Sequence, residues 1–251
     1  MKSSLLSVVI PSYNEITNLR KGTLDKVEHY LERKKHNYEV IVVDDGSDDG
    51  SLEFVREFVN ENPKFRIVEN SHTGKAGAVT AGVLAAKGDY ILFTDMDQAT
   101  PIEEVEKLIA AAKNGFDIVI GSRSSTRRGA PWTRKLMAQA MITLRLLLVG
   151  FPELRDTQCG FKLFSKEVAH NIFEKVRKIH RGFKSIHGSS VTAGFDIELL
   201  YLGKRFGYKI KEVPVDWLYV ESRRVNPIKD SIEGLFDLLR IKRNIMSGVY
   251  N

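Results

Sequence analysis

The sequence predicts an α/β fold with a mostly parallel central sheet flanked by helices. Short apolar runs of strand type (Leu5–Ile10, Tyr38–Val43, Phe65–Val68, Asp89–Thr94 and Phe116–Ile120) alternate with helical segments at the pitch of βαβ units. Three of these runs end in polar or acidic turns, which is how an open sheet gathers a ligand site at the carboxyl ends of its strands. With 251 residues, 43% of them hydrophobic, the chain can bury a large core, expected as one domain over 1–251.

The first run, Leu5-Leu6-Ser7-Val8-Val9-Ile10, is almost continuously apolar, as in a strand covered on both faces. Pro11-Ser12-Tyr13-Asn14-Glu15 closes it, and a helical segment follows to about Lys35. Tyr38–Val43 runs into Asp44-Asp45-Gly46-Ser47-Asp48-Asp49; Leu52–Asn60 is expected to be helical and Phe65–Val68 extended. Gly74–Ala86, rich in Ala, is the next helix. The turn signal Lys87-Gly88-Asp89 precedes the central strand, Asp89–Thr94. Thr100-Pro101-Ile102-Glu103 has the form of a capping box with Pro at the first helical position, opening a helix over Ile102–Asn114.

Beyond Gly121-Ser122-Arg123 the composition changes. Ser124–Arg134 is polar and basic, and Thr133–Val149 reads as a long apolar helix with cationic residues at its start. Arg155–Phe164 is a turn entering a strand, Lys178–Thr192 is loop-like, Gly194–Leu200 opens a helix and Lys209–Val215 is the last strand. In the final helix, Asp230–Met246, Ile232, Leu235, Phe236 and Leu239 recur at i, i+3, i+4 and i+7. Leu238, Ile241 and Ile245 widen that face, and Arg240, Lys242 and Arg243 flank it.

A net charge of +6 favours an anionic partner: a nucleotide, a phospholipid surface or nucleic acid. No RNA- or DNA-binding signature is present. The single cysteine, Cys159, excludes an internal disulfide framework and fits a reducing compartment. Leu5–Ile10 is too short for a secretory signal, and the apolar stretch Met141–Val149 is broken by Arg145. If this chain meets a membrane, it is expected to lie on it.

The chemistry centres on Tyr90-Ile91-Leu92-Phe93-Thr94-Asp95-Met96-Asp97-Gln98. In extended backbone residues i and i+2 point the same way, so Asp95 and Asp97 can converge beyond the strand end. Two like charges there call for a cation, and hard oxygen donors with Gln98 beside them suit Mg²⁺ or Mn²⁺. A lone Asp-x-Asp more often solvates a turn, and Asp44–Asp49 by itself suggests a turn that caps the next helix. Gly74-Lys75-Ala76-Gly77 places a cation and N–H groups at a helix start, where phosphate is favoured.

In combination these motifs say more. Val9-Ile10-Pro11-Ser12-Tyr13-Asn14-Glu15, Val43-Asp44-Asp45-Gly46-Ser47-Asp48-Asp49, Gly74-Lys75-Ala76-Gly77-Ala78 and Asp95-Met96-Asp97-Gln98 resemble, in order and separation, the family 2 glycosyltransferases with the GT-A fold. Asp156-Thr157-Gln158-Cys159-Gly160-Phe161-Lys162 and Gly194-Phe195-Asp196-Ile197-Glu198 narrow the resemblance to the branch acting on dolichyl or other polyprenyl phosphates. Within it, dolichyl-phosphate glucosyltransferases are nearest and the mannosyltransferases are near cousins.

The resemblance implies an inverting, metal-dependent hexosyltransferase, peripheral on the cytoplasmic face of a membrane. Residues 1–125 would bind the sugar nucleotide and 126–251 the acceptor. The donor would be UDP-glucose, with GDP-mannose or a nucleotidyltransferase-like chemistry as alternatives. Asp45 would accept the base N–H, with Pro11, Tyr13 and Glu15 at base and ribose and Asp44, Lys75, Asp95 and Met96 completing the donor set. Asp97 and Gln98 would hold Mg²⁺ or Mn²⁺, although the mannosyltransferase pattern has one more residue between Asp and Gln. Arg123, Arg134 and Lys135 fall in the acceptor-phosphate region. Asp196 takes the place of a base or acceptor-orienting group. Arg223 and Lys229 match a mobile cationic loop closing on the diphosphate.

Overall fold

The computed structural model describes residues 4–123, 142–183, 193–218 and 227–251, with the side chains of 193 and 227–231 set aside. Apolar runs become strands because both faces of the sheet are covered. Along β1 (Leu5–Ser12), Val9 packs into one apolar cluster while Leu6, Val8 and Ile10 pack into the other, as the two-residue alternation of a strand requires. All four are essentially inaccessible to water, worth roughly 2 kcal/mol of burial each.

The other strands are β2 (Asn37–Asp44), β3 (Phe65–Glu69), β4 (Tyr90–Phe93), β5 (Ile118–Arg123), β6 (Lys162–Ser165) and β7 (Ile210–Val215). They form a seven-stranded sheet in the order β3-β2-β1-β4-β6-β5-β7. Every pairing is parallel except those of β6, which runs antiparallel between β4 and β5. The expected mostly parallel sheet is therefore present, with one reversed strand at the fifth of its seven positions.

The helices are α1 (Ile16–Leu19), α2 (Thr23–Arg33), α3 (Ser51–Glu61), α4 (Gly74–Ala85), α5 (Val105–Lys113), α6 (Lys166–Ile179), α7 (Ala193–Arg205) and α8 (Pro227–Met246), with a further helical stretch at 142–148. α4 lies close on the sheet because Gly82 has no side chain. A Cβ there would stand 2.4 Å from Val9 Cγ1 and 2.7 Å from Val43 Cγ2.

Several sequence expectations are corrected. The first helix is two, broken at Gly22 with φ +72°. The capping box at Thr100 does not form: Pro101 precedes a 3₁₀ turn (Ile102–Glu104), and the Thr100 hydroxyl faces Cys159 Sγ at 3.9 Å. α6 was not among the assigned elements, although Val168, Ala169, Ile172, Phe173 and Val176 give it a buried stripe. The apolar face of α8 is divided: Ile232, Leu235, Phe236 and Leu239 are exposed, while Leu238 and Ile241, which widen the same face, are buried. The helix expected from Thr133 is described only from residue 142, so its first part, with the basic run 124–134, lies outside the described residues, as do 184–192 of the expected loop.

Candidate active site

The carboxyl ends of β1, β2 and β4 lie side by side, and the turns leaving them are stitched together. The Asn14 amide donates to Ser47 Oγ at 3.0 Å, the Glu15 amide to Ser51 Oγ at 2.9 Å, and the Asp48 amide to Asn14 Oδ1 at 2.9 Å. Tyr13 stacks on His72 with ring centroids 4.2 Å apart. Pro11 lies in β1, partly exposed, and Glu15 accepts from Asn18 Nδ2 at 2.6 Å.

The two aspartates closing β2 do different things. Asp44 folds its Oδ2 back onto the amides of Gly46 (3.1 Å) and Ser47 (3.0 Å) and leaves Oδ1 buried without a hydrogen bond. Asp45 accepts from the Thr73 amide (2.9 Å), the Gly74 amide (2.8 Å) and Asn70 Nδ2 (2.6 Å). It thereby satisfies the first amides of α4, so of the Gly74–Gly77 run expected to face phosphate the Gly74 N–H is already engaged by a carboxylate.

β4 ends at Phe93, two residues before Asp95, so Asp95 and Asp97 approach through a turn and not through strand alternation. The Gln98 amide closes that turn on Asp95 O at 3.2 Å, with Gln98 at φ +49°. Lys75, at the start of α4, reaches Asp95 Oδ1 at 2.5 Å. Burial alone would push the Lys75 amine down, but Asp95, Asp196 and Asp97 together hold its pKa above the ordinary lysine value. Gly160 lies directly against Asp95: a Cβ there would be 2.1 Å from Oδ2.

Asp97 differs from Asp95. Its Oδ1 accepts the Ala99 amide at 3.0 Å, and among the described residues it has no ion pair. Burial first, and the Asp95 charge with it, raises its pKa above the ordinary carboxyl value, against the pull of the Ala99 N–H and Lys75. Gln98 donates Nε2 to Asp95 O at 2.9 Å and leaves Oε1 buried without a partner. An unpaired carboxylate beside an unpaired amide oxygen fits a divalent cation of the Mg²⁺ type, which takes one or two carboxylates and fills its shell with substrate phosphate and water. Among the described residues no group of three or more His, Cys, Asp or Glu is placed to hold a metal unaided. Met96 turns the other way, into the core at 2% exposure, so its side chain does not line the site.

Opposite Asp95 stands Arg123, at the end of β5. A cleft lined by Thr94, Asp95, Ala99, Thr100, Arg123, Gln158, Cys159, Gly160 and Trp217 joins the two. The guanidinium is held bidentately by Asp156, Nε to Oδ2 and Nη2 to Oδ1, each at 2.7 Å. Glu212 in turn accepts the Asp156 amide at 2.8 Å. Although burial pushes the Asp156 carboxyl up, Arg123 holds it net below its ordinary range. Trp217 lies beside the guanidinium, its ring centroid 5.9 Å from Cζ.

Asp196, in the first turn of α7, meets Lys162 Nζ at 2.5 Å, and Lys162 is fully buried. Lys162, Asp156, Gly160 and Trp217 received no role from the sequence. A lysine inside the apolar strand Lys162-Leu163-Phe164 was the available signal, because such a cation must find a partner. Arg134, Lys135 and Arg223 lie outside the described residues. Lys229 stands in the first turn of α8 and not in a loop, its side chain outside the described set.

The model for "Glycosyl transferase family 2" matches residues 7–173, which include this cleft's acidic wall. Dolichyl-phosphate beta-glucosyltransferase of Dictyostelium discoideum is 32% identical over 266 residues, covering 98% of this chain and 76% of that protein. The Homo sapiens protein of the same name is 33% identical over 268 residues, with coverages of 98% and 77%. The Saccharomyces cerevisiae one is 32% identical over 272 residues, with 98% and 76%.

Among solved structures, mannosyl-3-phosphoglycerate synthase from Rubrobacter xylanophilus superposes with a TM-score of 0.63 at 14% identity, covering 98% of this chain and 75% of that one. Mannosyltransferase PcManGT from Pyrobaculum calidifontis, in complex with GDP-Man and Mn2+, gives 0.54 at 20%, covering 89% and 59%. These two share the fold, that of the GT-A glycosyltransferases, as the sequence led us to expect. By a family match over residues 7–173 and by relatives over nearly its whole length, the chain is a glycosyltransferase and belongs to glycosyl transferase family 2.

Proposed function

We propose that this chain transfers glucose from UDP-glucose to the phosphate of dolichol or another polyprenol at the cytoplasmic surface of a membrane, with inversion at the anomeric carbon. The observation that carries the reading is the cleft in which the Asp95–Asp97 turn faces Arg123, in a chain whose relatives across its length are named for glucosyl transfer to dolichyl phosphate. The donor would rest against the turns after β1 and β2, with Tyr13, Pro11 and Glu15 at the base and Lys75 toward the diphosphate. With every oxygen of Asp45 engaged, its share in base recognition would run through the Asn70–His72 segment it holds.

An acceptor phosphate is already anionic near neutral pH, its second pKa being about 6, so no base has to deprotonate it. One of its oxygens forms the new bond to the anomeric carbon while the bond from that carbon to the donor diphosphate breaks, the electron pair leaving with the diphosphate. Arg123, held in place by Asp156, offers the acceptor phosphate its remaining N–H donors, and the resemblance adds Arg134 and Lys135 to the same task. A bound Mg²⁺ or Mn²⁺, held by Asp97 with Gln98, would supply charge neutralisation for the leaving group. Arg223 and Lys229 would add cationic charge on the same side.

Support for a membrane surface is physical. Among the described residues no helix is long and apolar enough to cross a bilayer. The outward face of α8 carries Ile232, Phe236 and Leu239, with Lys242 and Arg243 nearby, the makeup of a helix lying in an anionic interface.

The test is transfer of labelled sugar from UDP-glucose to polyprenyl phosphate in vesicles with Mg²⁺ or Mn²⁺, read as label in the lipid phase. Label from UDP-glucose that disappears with chelator is expected. Label only from GDP-mannose would replace the donor, and no label from either would overturn the reading.

A further inference from the structure

We propose that Lys162 is a positioning residue: its ammonium cancels the charge of Asp196 beneath the cleft, so that an anionic acceptor can enter beside a carboxylate. The inference rests on the reading of a phosphate acceptor given above. The charged groups of the site are matched in pairs. Asp95 has Lys75 at 2.5 Å, Asp156 has Arg123 at 2.7 Å and Asp196 has Lys162 at 2.5 Å, whereas Asp97 has no ion pair among the described residues. Asp196 is close enough to act electrostatically on both Lys75 and Arg123, so its charge is felt on the donor side and the acceptor side of the cleft. Unneutralised, it would oppose a phosphate dianion held at Arg123 through a medium that screens poorly.

Lys162 is built for this place. It stands on β6, the reversed strand, with its side chain fully buried. Besides Asp196 it donates to Cys159 O at 2.5 Å, and it lies 5.3 Å from the Phe93 ring centroid at the end of β4. One ammonium therefore joins the turn that presents Gly160 to Asp95, the first turn of α7, and the strand that leads to the metal-side carboxylates. A lysine serving only to fill the core would be an apolar residue, since an ammonium in that position is costly unless it has a partner.

The experiment compares the wild-type protein with Lys162→Met, Asp196→Asn and the double variant, measuring KM for polyprenyl phosphate in vesicles and for the sugar nucleotide separately. Lys162→Met is expected to raise the acceptor KM about tenfold and the donor KM by a smaller factor. The double variant, having lost both charges, is expected to recover most of that loss. Equal rises in both KM values, a fall in kcat alone, or a double variant no better than Lys162→Met would overturn the inference. Should Lys162→Met fail to fold, Asp196→Asn decides: with the carboxylate gone the acceptor KM is expected to fall, and an unchanged or higher value overturns the proposal. A wild-type protein that transfers nothing to polyprenyl phosphate would sink the acceptor reading, whereas active wild type with these variants misbehaving sinks only the role of Lys162.

Discussion

Asp97 shows how function and stability oppose each other at a single side chain. Because its pKa is raised in the folded protein, the folded state binds more protons than the unfolded one between the ordinary and the raised value, and stability falls as pH rises through that window. Asp97→Asn removes the titration. Its melting temperature near pH 7 is expected to exceed that of the wild type by a few degrees, the gain shrinking as pH falls below the ordinary carboxyl range, while sugar transfer is lost. Calorimetry across pH and the lipid-phase assay check the two halves of that outcome, and a variant that is active or less stable would refute it. Gly160→Ala tests the neighbouring carboxylate. The new methyl would stand 2.1 Å from Asp95 Oδ2, so either Asp95 or the Gly160 turn must shift. A drop in kcat of about a hundredfold with an intact circular dichroism spectrum is expected, since small misplacements of a reacting group cost about that much.

At the scale of elements, α4 is held by its two ends. Gly82 lets its body approach the sheet, and Asp45 satisfies the amides that open it. Asp45→Ala leaves those donors without their carboxylate and is expected to cost on the order of 2 kcal/mol, a fall of roughly 5 °C in melting temperature. Sugar-nucleotide affinity, read by titration calorimetry, should fall with it because Lys75 sits one residue further on. Much of this was legible beforehand. The strands were plain from their apolar runs, and the acidic turns from their position after them. What escaped were relations between distant residues. Asp156 holding Arg123, Lys162 beneath Asp196 and Asp45 serving α4 each join segments 25 or more positions apart, and no local pattern records such pairings. The same limit explains α8. Periodicity marked an apolar face correctly, but which of two adjacent stripes met the core was decided by α7, whose Gly194 amide donates to Asp237 Oδ2 at 2.9 Å. Leu238 and Ile241 lie buried in the core on that side.

For the whole molecule, the outward stripe of α8 is the surface that, on the proposed reading, would rest on a membrane. Phe236 is 65% exposed and Leu239 47%, so replacing both by Ser removes little core. The Phe236→Ser/Leu239→Ser variant is expected to keep its melting temperature within about a degree while its sedimentation with anionic vesicles falls about tenfold, consistent with the transfer energy of the two side chains. Unchanged vesicle binding would remove α8 from the interface.

The reversed strand has one more consequence. β4 and β5 never touch; β6, made some forty residues after β5, slots between them. During synthesis the segment up to β5 is therefore expected to emerge with the β4 edge unpaired and β5 unattached, until the insert arrives from the tunnel. We expect such a nascent chain to need protection by chaperones, and a cut after β5 to leave that strand without the neighbour that joins it to β4.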